Sequence, residues 1–368
     1  MNIHSLRIEG FRKHKDTTIL FSDSTFLIGE NNVGKSSVLV ALDYLLNIKS
    51  KIPEEEFYSV VDANGSIPTK SSLQGTGMIR STVFSLLRYK SIRDAEKAKD
   101  GSRSLIIGFE EPEIYLHPNA ISKIKDTIYR LAEYHKNQIV CTTHSPFMID
   151  LSRKPRQVLN NLSIASNNFD DIVGEKILAK AFNVTEAFQK LQDDNKDYVK
   201  MLLRVDDAIA KSFFVKHILI VEGDTEQIVL NETLPFLPQK LQSVILSEWH
   251  IIRARGKAAI IPLIKYLKTM GIDIYIMHDG DYGTNGAEKF NEPIRIALNN
   301  DSHIVVLDKC IEDVLGYAVQ QNDKPLHAYN FIRKNWHNWD DISQDWKSCI
   351  EKIFNAGNHI VVKTKLTD

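Results

Sequence analysis

Eight consecutive residues, Gly29-Glu30-Asn31-Asn32-Val33-Gly34-Lys35-Ser36, carry the spacing GxxxxGK[ST]. That spacing suits one task. Two glycines let backbone N–H groups curl around phosphate oxygens, the Lys35 ammonium reaches the β- and γ-phosphates of ATP, and the Ser36 hydroxyl meets Mg²⁺. Asn31, Asn32 and Ser37 fall within or beside the loop and join the expected nucleotide contacts. Further on, the apolar run Ser104-Leu-Ile-Ile-Gly-Phe ends in Glu110-Glu111-Pro112-Glu113. Glu110 is placed to hold Mg²⁺, directly or through water. Glu111 is placed to polarise an attacking water, because phosphoryl transfer depends on positioning and charge stabilisation. A second apolar run ends in Cys141-Thr-Thr-His144-Ser145-Pro146 and puts His144 at the γ-phosphate.

A separate set of acids follows. Ile218–Val221 runs into Glu222-Gly223-Asp224-Thr225-Glu226, and Ile274–Met277 runs into His278-Asp279-Gly280-Asp281. Parallel strands of one sheet deliver such ends to the same edge, where open α/β folds place their sites. Acids meeting there repel one another unless a hard cation neutralises them. Mg²⁺ and Mn²⁺ prefer oxygen ligands, so Glu222, Asp279 and Asp281 read as a divalent-metal and catalytic set. Arg253, Arg255 and Lys257 offer a DNA- or phosphate-binding patch beside it; a solvated basic loop is the even alternative. For His278, packing at a strand end is set against contact with substrate.

The elements that must position these groups follow from periodicity. Residues 3–8, 17–28, 104–109, 138–142, 218–221, 274–277 and 304–307 read as strands. Residues 36–46, 120–135, 226–234 and 260–270 read as helices, and 78–89 has helical spacing. Strands alternating with helices imply an α/β fold with mostly parallel sheets. Residues 173–213 show helical periodicity without strand signals. The expected organisation is an ATPase domain over 1–168, a helical connector over 169–213 and a second α/β domain with a C-terminal extension over 214–368. Residues 323–368, rich in Trp, Asn and charge, receive no role.

These pieces resemble known families. Glu110-Glu111-Pro112-Glu113-Ile-Tyr-Leu-His117-Pro118 followed by Thr-His-Ser is similar to the ABC-type ATPase heads of SMC and DNA-repair proteins. The resemblance implies an Arg12 near the nucleotide, a signature loop at Leu73-Gln74-Gly75-Thr76-Gly77, and ATP sites shared within a homodimer or higher homo-oligomer. Only about 40 residues separate Ser36 from that loop, where the family places a lobe and often a long arm. Either the arm is absent or segments are missing from the chain. The strand-end acids resemble a Toprim domain, the Rossmann-like centre of topoisomerases, primases and some nucleases. The order ABC head then Toprim, with Gly256-Lys257-Ala and Ile311-Glu312-Asp313, resembles the OLD (overcoming lysogenisation defect) nucleases, which include the Gabija nuclease subunit and retron-associated effectors.

That resemblance implies a two-metal centre to which Glu226 and Glu312 add ligands, a late basic residue such as Lys363 or Lys365, and an ATP-regulated DNA endonuclease of anti-phage defence. A defence-system partner protein or a retron RNA or DNA would accompany it. The alternatives are a DNA-sensing regulatory ATPase with a non-cleaving Toprim scaffold and a Toprim ribonuclease acting on tRNA. A topoisomerase lacks support, because no strand-passage Tyr sits in a recognisable accompanying domain.

Composition narrows the field. The net charge is -1 and the pI about 6.9, so a non-specific coat on nucleic acid is disfavoured and any such contact rests on a local patch. Three dispersed cysteines, Cys141, Cys310 and Cys349, give neither a disulfide framework nor a zinc spacing and fit a reducing cytoplasm. No apolar run reaches membrane-spanning length, and the N-terminus has no signal-peptide pattern.

Overall fold

The computed structural model describes residues 3–46, 105–114, 116–133, 137–153, 156–169, 172–205, 207–283, 286–319 and 322–355. The signature-like loop at 73–77, the helical stretch 78–89, the interval expected to hold an arm, and Lys363 and Lys365 lie outside them. The chain divides into two compact units, Met1–Glu186 and Ala187–Asp368.

The first unit opens with an antiparallel pair, β1 (Ser5–Phe11) and β2 (His14–Leu20). β3 (Ser24–Gly29) leads into the P-loop and α1 (Lys35–Leu46). β4 (Ile106–Glu110), α2 (Pro118–Glu133) and β5 (Gln138–Thr142) follow, then β6 (Gln157–Phe169) and β7 (Ile172–Asn183). The sheet order is β4-β5-β3-β6-β7, parallel except for the β6–β7 hairpin. Phe26, Leu27, Ile28, Ile139, Val140 and Cys141 are fully buried, as central strands covered on both faces require. Each large apolar side chain so buried contributes about 1.5–3 kcal/mol. α2 turns Ile124, Ile128, Tyr129 and Leu131 inward, and the Tyr129 ring packs tilted against Phe26 with centroids 5.7 Å apart.

The expectation of a helical connector starting at residue 169 is corrected here. Residues 172–183 are strand β7, paired along its length with β6 in the ATPase sheet. Its sequence mixes polar and apolar residues, and twelve paired backbone positions outweigh that weak propensity. Helix begins only at α3 (Val184–Gln189) and α4 (Asp193–Val205).

In the second unit, β8 (His217–Val221), α5 (Asp224–Thr233), α6 (Gln239–Glu248), β9 (Trp249–Arg253), α7 (Lys257–Thr269) and β10 (Asp273–Asp279) succeed one another. α8 (Asn291–Leu298), β11 (Ile304–Leu307), α9 (Ile311–Leu315), α10 (Lys324–Asn335) and α11 (Gln344–Asn355) complete the described part. Its sheet, β11-β10-β8-β9, is wholly parallel. Residues after 323, given no role from sequence, close this core. Trp336, Trp346, Ile350 and Phe354 pack with Val229, Trp249 and Tyr275, and the Trp346 indole N–H donates to Thr233 Oγ1 at 2.8 Å.

Among the described residues, seven non-glycine positions have left-handed φ, and five of them, Arg12, Asn32, Glu111, Arg255 and Asp281, are residues the sequence singled out for chemistry. Backbone strain of about 1–3 kcal/mol each is thus gathered at the candidate sites.

Candidate functional site

In the first unit, β3 ends in Gly29 at φ +137° and the loop turns again at Gly34, φ +87°. Any Cβ on Gly29 would strike the Leu162 carbonyl oxygen, and one on Gly34 would lie 2.7 Å from both His14 Nε2 and Ile177 Cδ1. Both positions therefore require glycine. His14 is fully buried, and its Nε2 lies 3.0 Å from Gly34 O. Lys13 Nζ donates to Asn32 O at 3.2 Å. Sequence reasoning missed both residues, whose only signal was their nearness to Arg12 in the β1–β2 turn. Arg12 stands over the Phe11 ring, 5.7 Å from its centroid.

Lys35 is buried, and its ammonium donates to Gly29 O at 3.0 Å and Glu30 O at 2.8 Å. Burial lowers its pKa, and Glu111 and Glu113 oppose that shift. β4 and β5 run side by side, so Glu110 pairs with Thr142 in register and the acids meet the 142–145 turn. Glu110 is exposed at the end of β4. The Glu111 N–H donates to Thr142 O and Thr142 Oγ1, both at 3.0 Å. Thr143 Oγ1 and the His144 N–H donate to Glu113 Oε1. His144 Nε2 lies 2.9 Å from Lys35 Nζ and 2.9 Å from Glu111 Oε1. The structure therefore brings Lys35, Glu111 and His144 together, beside Ser36 and Ser37 in the first turn of α1. Asn31 and Asn32 are exposed.

In the second unit the carboxylates converge at the C-terminal ends of β8 and β10 and at α9. Glu222 Oε2, Asp279 Oδ1 and Glu312 Oε2 are buried without a hydrogen-bond partner, and Glu312 Oε1 has only an ion pair. Glu226, also buried, accepts from the Gly223 N–H at 2.8 Å. Burial, then the charges of Glu226, Glu222, Asp281 and Glu312, raise the Asp279 pKa to about 8. Burial and Glu226 raise Glu222 to about 7, with Lys257 pulling the other way. Burial likewise raises Glu226. Lys324 Nζ, 3.3 Å from Glu312 Oε1, escaped sequence reasoning. Burial pushes this ammonium down, but Glu312 and Asp279 outweigh it and its pKa is raised.

The expected basic patch is split. Lys257 is buried and donates to Asp281 Oδ2 at 2.6 Å and Asn291 Oδ1 at 3.0 Å. Arg253 pairs with Asp224 at 2.8 Å. Arg255 is the exposed member of the trio. The cause is the turn itself: Ala254 N–H bonds Val221 O and Gly256 N–H bonds Glu222 O, which draws the start of α7, and Lys257 with it, into the acid cluster. His278 is fully buried, its Nδ1 2.8 Å from Asp279 O, and packs inside the fold.

Among the described residues no three His, Cys, Asp or Glu side chains already close around one point as a metal cage. The donor chemistry nevertheless fits a hard cation. The groups gathered here are all carboxylates, and each buried unpartnered oxygen costs about 1–3 kcal/mol that a cation placed there would recover.

Comparison with known proteins agrees with both halves. Residues 1–73 and 59–149 match the AAA ATPase domain family, and residues 213–281 match the overcoming lysogenization defect protein-like TOPRIM domain. The chain is 25% identical over 217 residues to the Old nuclease of Escherichia phage P2, covering 57% of this chain and 33% of that protein. It is 24% identical over 240 residues to the OLD nuclease of Thermus scotoductus, covering 61% and 43%. It is 23% identical over 240 residues to endonuclease GajA of Bacillus cereus, covering 62% and 34%. The chain thus matches between a third and somewhat under half of the length of these curated relatives. No helix among the described residues is long and apolar enough to cross a membrane.

Proposed function

We propose that this chain, an ATPase domain followed by an OLD-like TOPRIM domain, is a divalent-metal-dependent DNA endonuclease whose cleavage is governed by ATP. The observation that carries the reading is the pair of buried, unpartnered carboxylate oxygens, Glu222 Oε2 and Asp279 Oδ1, at the ends of adjacent parallel strands, with buried Glu312 beside them on α9. Mg²⁺ or Mn²⁺ held there would supply an activated water and charge compensation at the leaving oxygen of a phosphodiester. Glu222, Asp279 and Asp281 would form the core of the ligand set, with Glu226 and Glu312 flanking it. Arg255, exposed beside this cluster, would contact a substrate phosphate. In the first unit, the P-loop would bind ATP–Mg²⁺, Lys35 would neutralise phosphate charge, Glu111 would orient water, and His144 would report the γ-phosphate. The names of the nuclease relatives support nuclease activity. Defence against foreign DNA, a cytoplasmic setting and a homodimer completing the ATP sites belong to the same proposal and rest on the motif resemblance alone.

The test incubates the purified protein with plasmid, linear DNA and tRNA in Mg²⁺ or Mn²⁺, with and without ATP, beside Asp279→Ala. Metal-dependent DNA cleavage lost in Asp279→Ala supports the reading. Equal cleavage by both proteins refutes it, and cleavage confined to tRNA replaces it with a ribonuclease.

A further inference from the structure

Lys257 is a charged group at the acid cluster whose place is fixed from two sides. Its ammonium is bonded to Asp281 Oδ2 at 2.6 Å and Asn291 Oδ1 at 3.0 Å, and the Asn291 amide in turn donates to Gly280 O at 2.7 Å. These contacts make a closed ring through Lys257, Asp281, Gly280 and Asn291. The Lys257 side chain is 4% exposed, so its charge is poorly screened and its influence reaches Glu222. Asp281 itself sits at φ +50°, a conformation the ring holds in place.

We propose that Lys257 is a positioning residue and a built-in cation of the carboxylate site. It engages Asp281 through Oδ2, leaves Oδ1 as the oxygen Asp281 offers to a divalent ion, and competes electrostatically with that ion. The competition has a use. Lys257 and Lys324 together with two divalent ions would outweigh the charge of the five carboxylates, so the loaded cluster accepts an anionic phosphodiester that a bare acid cluster would repel. The inference rests on the metal-site reading above.

The test measures Mn²⁺ binding by calorimetry and melting in EDTA and in Mn²⁺, alongside DNA cleavage. Lys257→Gln is expected to bind Mn²⁺ about tenfold more tightly while cleaving more slowly, because a nearby positive charge is gone. A purely structural role would weaken binding instead, and unchanged or weaker affinity overturns the proposal. In the Asp281→Asn background, Lys257→Gln is again expected to tighten Mn²⁺ binding, since the ammonium repels the ion through space as well as through Asp281; weaker or unchanged affinity there overturns the competition. Should Lys257→Gln not fold alone, the double variant carries the test. With both partners neutral it should melt higher in EDTA than Asp281→Asn, which strands a buried ammonium, and an equal or lower melting temperature overturns the counter-ion role. If the wild type binds no Mn²⁺, the metal-site reading itself falls, an outcome distinct from any of these.

Discussion

His144 Nε2 stands 2.9 Å from Lys35 Nζ. The same nitrogen stands 2.9 Å from Glu111 Oε1. One imidazole nitrogen cannot accept from the ammonium and donate to the carboxylate at once. Its proton decides which neighbour it serves, so His144 couples the group that grips phosphate to the group that orients water. Lys35→Ala is therefore expected to lose ATP binding and turnover together. Glu111→Gln should keep binding and slow turnover by about 100-fold, in line with loss of a positioned catalytic group. Phosphate release and nucleotide titration read both, and wild-type turnover in Lys35→Ala would sink the P-loop assignment.

Gly29 presses against Leu162 at a φ no side chain tolerates well. Gly29→Ala should lower stability by about 1–3 kcal/mol and weaken ATP binding with it. Thermal melting with and without ATP separates the two effects.

His14 is buried against the loop carbonyl, and burial lowers its pKa below 6.5. The unfolded chain then binds more protons than the folded one in the acidic range. Stability from this group is present above about pH 6.5 and drains away as pH falls through the lowered value. Melting temperature should drop more steeply below pH 6.5 in the wild type than in His14→Gln, and parallel curves would contradict this.

Asp279 and Glu222 run the other way. Their folded pKa values, about 8 and about 7, lie above the unfolded carboxylate range. Their contribution is fully present at acid pH and is lost as pH rises toward 7 and 8. In EDTA at pH 8, Asp279→Asn should therefore melt several degrees above wild type, on the order of 1–3 kcal/mol. Adding Mn²⁺ should reverse the order. A variant that melts lower than wild type in EDTA at that pH would show that Asp279 is not strained by its neighbours.

Trp346 is fully buried, with its indole N–H on Thr233. Trp346→Ala is expected to cost about 3–5 kcal/mol. Chemical denaturation gives the value, and a loss under 1 kcal/mol would detach the C-terminal helices from the second unit's core.

Motifs that combine a strand, a sharp turn and a charged residue were legible in the sequence, because each link has a local signal. Gly29 to Ser36, Glu111, Glu222 and Asp279 are of this kind. What escaped depended on contacts distant in sequence. β7 forms through pairing with β6 despite its mixed pattern. Lys324 reaches Glu312 from a segment that read as an unassigned tail. Lys257 looked like one of three surface cations, yet backbone bonds from the 254–256 turn to Val221 and Glu222 carry it inside. His14 and Lys13 carry no motif, and only the approach of the β1–β2 hairpin to Asn32 and Gly34 exposes their place.

The buried carboxylates of Asp279 and Glu312 have a consequence for how this protein can be improved by selection. A library screened for heat resistance in chelator would enrich amides at those positions, since neutral side chains relieve the crowding of like charge. The survivors would be the hardiest folds and the poorest metal binders. Selection on robustness alone would erase the site, and only a screen that also scores divalent-ion binding would keep it.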